Sequence, residues 1–197
     1  MATTQLLARP KADTASRILD AAFACFGDQG LGRTTMEDVA RRAGITRQTV
    51  YRYFPSKDDL VMALVLREED RFIEGTRRAF AADGTLEEAL YRGVLYCLRF
   101  AREHPLLDRL LRSDAESLLP YLTTRARPLI KRAREAFLQE VGRKAWVRAN
   151  VSDQVADLAV RMTLSYALTP PDRPTDRVAK DMARILSIAL TGKEARR

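Results

Sequence analysis

One histidine, one tryptophan and two cysteines in 197 residues leave little with which to hold a metal or perform nucleophilic chemistry. His104 stands directly before Pro105, at what reads as a helix end, where histidine commonly acts as a cap. Cys97 precedes it by seven residues, about 10.5 Å along a helix axis, too far for a thiol–imidazole pair. Metal-ligand spacings, a glycine-rich phosphate loop and a nucleophile elbow are all missing. The sequence therefore reads as a non-enzyme with no cofactor and no metal. Cys25 and Cys97 fall at apolar helical positions, which suits a reduced, cytoplasmic protein better than a disulfide-stapled one.

Long apolar runs are missing too. The densest, residues 60–66, is broken at once by Arg67, Glu68, Glu69 and Asp70, so no membrane span is expected. The N-terminus lacks the apolar core of a secretory signal. Glycine is sparse, at 9 residues, while Leu, Ala and Arg dominate, a balance that favours helices.

What is present is charge. The net value of +8 and the isoelectric point near 9.9 suit a polyanionic partner. The excess is spread along the chain: residues 1–60 carry 9 basic against 7 acidic side chains, and residues 61–197 carry 25 against 19. Charge alone therefore does not locate a nucleic-acid site.

Periodicity and punctuation predict an all-α chain. Residues 1–12 read as a polar arm, and Asp13 or Thr14 can cap a first helix with Ile18, Leu19, Ala22, Phe23 and Phe26 on its apolar face. Gly27 and Gly30 end it. Thr35 with Asp38 forms an acidic variant of the capping box, Gly44 breaks the second helix, and Thr46 caps a third that Phe54-Pro55 closes. Ser56 with Asp59 opens a long fourth helix towards Phe80. Further helices are expected over about 85–103, 106–112, 124–145, 152–168 (capped by Ser152) and 175–190, with Ser113-Asp114 and Pro120 as punctuation.

The informative segment is TTMEDVARRAGITRQTVYRYFPSKDD, residues 34–59. Two short helices joined by a tight glycine turn have the length of a helix-turn-helix. Val39 and Ala40 face inward, with Ala40 small enough for a close crossing; Ile45 plugs the turn, and Val50 and Phe54 hold the second helix. That arrangement leaves Gln48, Thr49, Tyr51 and Arg52 outward with Arg47 at the flank. Such side chains suit a major groove, since Arg and Gln bond base edges bidentately while Thr and Tyr bond phosphates.

This run resembles the DNA-binding domain of TetR-family repressors. The carriers are Thr35, Val39-Ala40, Ala43-Gly44-Ile45, Tyr51-x-Tyr53-Phe54 and Lys57, preceded by Ala21-Ala22-Phe23 and the Gly27…Gly30 stop. The pattern is unbroken across residues 14–66. The resemblance implies a three-helix DNA-binding domain over residues 1–55, with a flexible arm at 1–12, and a larger helical effector-binding and dimerisation domain over 56–197. It implies that Thr35, Thr49, Tyr51 and Tyr53 reach phosphates and that Arg47, Gln48 and Arg52 read base edges. Lys57 would donate to phosphate at a helix N-terminus, where amides and dipole already favour an anion.

The implied partners are double-stranded operator DNA, a second copy of the chain and a small-molecule effector; the place is the cytoplasm, on the nucleoid when DNA is bound. Pairing would use the last two helices, whose Ala156, Ala159, Ser165 and Ala167, and Ala179, Ala183, Ser187 and Ala189, permit close approach. Candidate pocket residues are Tyr91, Leu95, Tyr96, Phe100, Leu107, Leu111, Tyr121, Phe137, Trp146, Met162 and Tyr166. No buried-charge pattern stands out, which points to an apolar or aromatic effector. The alternative reading is a DNA-binding regulator controlled by a partner or by no ligand at all.

Overall fold

The computed structural model describes residues 8–144, 149–170 and 172–192. Among these residues are ten helices and no strand, the all-α architecture that the periodicity predicts. The chain divides into two compact units, and the division passes through the fourth helix.

The first unit begins with α1 (Ala8–Gln29). This helix starts five residues before the expected cap at Asp13, and takes part of the expected arm into its first turn. Pro10 does not prevent this, because first-turn amides have no intrahelical partner to lose. Residues 1–7 of the arm lie outside the described residues. Gly27 is inside α1, so Gly30, with φ of 89°, is the residue that ends it. Then come α2 (Met36–Ala43), α3 (Arg47–Tyr53) and the opening of α4 (Lys57–Ala81). Ile18, Ala22, Phe26, Val39, Val50 and Leu60 are buried and form the core.

The same unit recruits α6 (Pro105–Ser113) and most of α7 (Ala115–Leu122). Leu106 and Leu110 of α6 are buried, and Leu106 reaches within contact distance of the Gly27 position on α1. This long-range return explains why the contact division differs from the 55/56 boundary drawn from the motif. Pro120, expected as punctuation, sits inside α7. At its sixth position in an eight-residue helix it forfeits a single intrahelical bond, to the Glu116 carbonyl.

The second unit holds the remainder of α4 with α5 (Leu86–Glu103), α8 (Arg127–Lys144), α9 (Ala149–Leu168) and α10 (Thr175–Thr191). Thr85 and Glu88 form a reciprocal capping box on α5, and His104 is its C-cap residue. Leu90, Val94 and Leu98 of α5 pack with Val178, Met182, Leu186 and Leu190 of α10, joined by Val141 and Val155. The Phe80 ring seats against Gly93, where a Cβ would fall 2.0 Å from the ring edge. Ser152 is the fourth residue of α9 rather than its cap.

Candidate nucleic-acid interface

The frame of the interface is local chemistry. The Thr35 hydroxyl accepts from the Asp38 amide at 3.1 Å, and the Asp38 carboxylate accepts from the Thr35 amide at 2.9 Å and hydroxyl at 2.6 Å. The hydroxyl bond first, then the amide bond, holds the Asp38 carboxyl below its ordinary range. At the other end of α2, Gly44 adopts φ 66° and ψ 36°, a left-handed conformation that L side chains resist. That turn lets the Gly44 amide return to Arg41 at 3.2 Å and the Ile45 amide to Ala40 at 3.1 Å, satisfying carbonyls the helix end would otherwise strand. Arg17 of α1 adds a bond from its guanidinium to the Ala43 carbonyl at 2.8 Å.

The chain then re-enters helix at once. Thr46 caps α3 by accepting from the Thr49 amide at 3.2 Å. Val50 is fully buried and Phe54 nearly so, while Ile45 is half-buried in the turn. These anchors fix which side of α3 meets solvent. Thr35, Arg47, Gln48, Tyr51 and Arg52 are exposed, and Thr49, Tyr53 and Lys57 are half-buried. Tyr51 keeps 37% of its surface open, unusual for so large a ring.

The exposed side chains are paired along the helix. The Arg47 guanidinium lies 5.3 Å from the Tyr51 ring centre and donates to the Tyr51 hydroxyl at 3.4 Å. Arg52 lies 5.7 Å from the Tyr53 ring centre. The Thr46 and Thr49 hydroxyls are 2.9 Å apart and share a hydrogen bond. Stacking on a ring limits the rotamers a long guanidinium explores, so less entropy is lost when it meets a base or phosphate.

Lys57, the first residue of α4, is less free than its position suggests. Its ammonium donates to the Gly32 carbonyl at 3.1 Å. Burial lowers its pKa against the pull of Asp114 and Asp58. One of its three donors is spent within the protein.

Asp114 went unremarked as a functional residue in the sequence. It accepts from the Gly32 amide at 2.7 Å, and a Cβ at Gly30 would fall 2.9 Å from its carboxylate. Burial works to raise its pKa, but bonds from Ser117 and from the Gly32 and Leu31 amides together leave it below its usual value. The Tyr121 hydroxyl likewise donates to Asp58 at 2.5 Å. The turn before α2 and the start of α4 are thus clamped by residues more than sixty positions away. No local spacing announces such partners.

The candidate effector residues divide between the units. Tyr91, Leu95, Phe137, Met162 and Tyr166 lie against the α5–α10 core, and the Tyr91 hydroxyl donates to Asp176. Tyr96 and Phe100 join Phe72 in an aromatic cluster, with the Phe72 and Phe100 rings edge-on at 5.3 Å. Leu107, Leu111 and Tyr121 belong to the first unit. Trp146 lies outside the described residues. Leu158 lines an open trough with Arg134, Asp153, Gln154 and Asp157, and none of these five was a candidate.

Two expectations need correcting. Buried charge is present after all: Glu69 and Glu140 are both buried, and the His104 imidazole lies 3.3 Å from Glu68. A run of acids read as a break in an apolar stretch concealed which of them turns inward. Ala156, Ala159, Ala179, Ala183 and Ser187 are buried in the protein's own core, so their small size serves packing within the chain. Of that set Ser165 and Ala189 are exposed and Ala167 is half-buried. The large apolar side chains left open on α9 and α10 are Leu158, at 58%, and Ile185, at 55%.

Residues 18–64 match the family model for bacterial regulatory proteins of the tetR family, and residues 85–187 match the model for the bacterial tetracyclin repressor C-terminal domain. The HTH-type transcriptional regulator AlkX of Mycobacterium tuberculosis is 35% identical over 157 residues, 78% of this chain and 74% of that protein. The repressor KstR of Mycolicibacterium smegmatis is 35% identical over 107 residues, 54% of this chain and 52% of that protein. Among solved structures, the TetR family repressor AlkX from Dietzia sp., implicated in biodegradation of n-alkanes, aligns with a TM-score of 0.71 at 29% identity. It covers 89% of this chain and 92% of the other. The models span both ends of the fold, the first of them takes in the capped α2–turn–α3 frame, and the chain belongs to the TetR family of helix-turn-helix transcriptional regulators.

Proposed function

We propose that this protein is a ligand-responsive repressor that binds a palindromic operator as a homodimer and catalyses no reaction. The observation that carries this reading is the outward face of α3, where Arg47, Gln48, Tyr51 and Arg52 stand exposed on a helix anchored by buried Val50. In this reading residues 1–55 are the DNA-binding domain and residues 56–197 the effector and dimerisation domain. Arg47, Gln48 and Arg52 read base edges in the major groove, and Thr49, Tyr51 and Tyr53 bond the flanking phosphates. Thr35 reaches a phosphate by turning its hydroxyl away from Asp38. Lys57 approaches the backbone with the donors left over from Gly32.

A helix of seven residues touches few base pairs, which favours two reading heads on half-sites about 34–36 Å apart. The open Leu158 and Ile185 side chains on α9 and α10 support pairing through the outer faces of those helices, because burying each large apolar side chain gains roughly 1.5–3 kcal/mol. The relatives named as repressors support repression as the sign of the effect. The relative implicated in n-alkane biodegradation supports an effector with an apolar body. Ligand binding acts by favouring one of two conformations that differ in DNA affinity.

Selection of bound DNA from random oligonucleotides tests the reading. The expected product is an inverted repeat whose half-sites are one helical turn apart, or a multiple of it. Enrichment of an unpaired site, or of nothing, overturns it.

A further inference from the structure

The second unit contains a carboxyl group that the DNA-binding role does not use. The Glu69 side chain is 2% exposed, and neither of its oxygens accepts a hydrogen bond from any described residue. Its nearest cation, Arg132, holds Nε 3.4 Å from Oε2, while the same guanidinium bonds Asp70. Glu87 on α5 has one buried oxygen without a hydrogen bond, whereas Glu69 has both, and other acids of this unit are bonded. Glu140 accepts from Arg77 at 3.1 Å and Arg143 at 2.6 Å, and Glu68 accepts from Arg71 at 2.9 Å. A buried polar group without a hydrogen bond is a cost that folded proteins rarely carry, and a leucine would fill the same space without it.

The position of Glu69 supplies a use. Three and seven residues on along α4 stand Phe72 and Thr76, which share its helical face. The Phe72 ring meets Phe100 at 5.3 Å and Tyr96 at 6.2 Å. Glu69 therefore shares a face of α4 with one ring of that aromatic cluster. Its unfilled acceptor oxygens select a class of head group. A ligand carboxylate would bring further acceptors and negative charge to a stretch that already holds Glu68, Glu69 and Asp70. A hydroxyl or an ammonium would donate to the waiting oxygens.

We infer that Glu69 is the polar anchor of an effector site lined by Phe72, Tyr96 and Phe100. The site takes an apolar molecule whose head donates a hydrogen bond, hydroxyl or ammonium, and it deepens the effector-responsive reading above, on which it rests. Burial pushes the Glu69 carboxyl up to about 8, so near neutral pH it can meet a hydroxyl in its uncharged form or ionise against an ammonium.

Calorimetric titration of the full-length protein with n-decanol, n-decylamine, n-decanoate and n-decane tests the assignment. Saturable binding of the alcohol or the amine is expected, and which of the two binds identifies the head group. Glu69→Leu should weaken that binding about tenfold or more. Glu69→Gln should spare the alcohol and weaken the amine, because it keeps an acceptor and loses the charge. Any binding of decane should be indifferent to both changes. Glu69→Leu should unfold no earlier than the parent protein, since it removes a buried carboxyl that accepts no hydrogen bond. No saturable binding of either donor-headed probe overturns the inference. So does affinity unchanged in Glu69→Leu, a preference for decanoate, or a lowered melting temperature in both variants. Operator gel shifts separate the two readings. Glu69-dependent binding that leaves the DNA complex intact keeps the site and sinks the effector-responsive reading; DNA release by a ligand indifferent to Glu69 does the reverse.

Discussion

Gly44 offers a quantitative test of the frame that presents α3. Its φ of 66° and ψ of 36° place it in the left-handed region, where an L side chain costs about 1–2 kcal/mol. Steric crowding adds nothing, because the nearest atom to a built Cβ is an Arg17 guanidinium nitrogen at 3.9 Å. Replacing glycine also narrows the unfolded ensemble, which returns about 0.4–1 kcal/mol. Gly44→Ala should therefore lose roughly 1 kcal/mol of stability. Gly44→Asn should lose less, because asparagine tolerates this region, and Gly44→Val should lose most, because β-branching does not.

Urea unfolding followed by far-ultraviolet circular dichroism, at one fixed protein concentration, measures the series. The order Gly, Asn, Ala, Val is the signature of a backbone cause. An alanine variant as stable as glycine would show that the turn relaxes out of the left-handed region. Asparagine costing as much as alanine would point instead to a contact made by the side chain. Operator affinity, measured well below the unfolding midpoint, should change only with the folded fraction, since Gly44 is not on the reading face.

Gln48→Ala should cost about 1–3 kcal/mol of operator affinity and relax preference at one base pair, whereas Lys57→Ala should weaken every sequence alike and reduce the salt slope by about one; filter binding across a salt series distinguishes them. Ile185 and Leu186 are neighbours with opposite exposure: Leu186→Ala should cost about 2–5 kcal/mol of folding stability, while Ile185→Glu should leave the fold intact and yield monomers in analytical ultracentrifugation. Glu69 sets a pH dependence of definite sign. Its folded pKa of about 8 stands above the ordinary 4.5, so the folded state binds the extra proton and stability falls as pH rises between those values. Melting curves across that window should flatten in Glu69→Gln, and an unchanged slope would mean that the carboxyl is hydrated or paired in the folded protein.

Much of this was legible in the sequence because it is encoded over three or four residues. The Thr35–Asp38 box, the Thr46 cap, the Gly44 turn and the buried Val50 each declare themselves by local spacing, and the structure places each as that spacing predicts. The outward direction of Gln48, Tyr51 and Arg52 then follows by geometry. Two helix starts were less legible. The α1 helix begins at Ala8, ahead of the Asp13 or Thr14 expected to cap it, and α9 begins at Ala149, ahead of Ser152.

What escaped the sequence is long-range and depends on direction more than composition. Small residues on α9 and α10 look alike whether they meet a helix of the same chain or of a twin, and the burial of Ala156, Ala179 and Ala183 assigns them to the former. In the run Glu68-Glu69-Asp70, consecutive helical residues turn by about 100° each, so at most one can face squarely inward, and only the packing of α4 and α8 decides that it is Glu69. The same logic separates Asp114 from the many surface acids: its carboxylate matters because α6 and α7 return to the first unit and deliver it to Gly32. A helix-turn-helix thus advertises its reading face in its own few residues. The groups that hold that face steady, and the burial of Glu69 with no hydrogen bond from any described residue, are set by where distant helices come to rest.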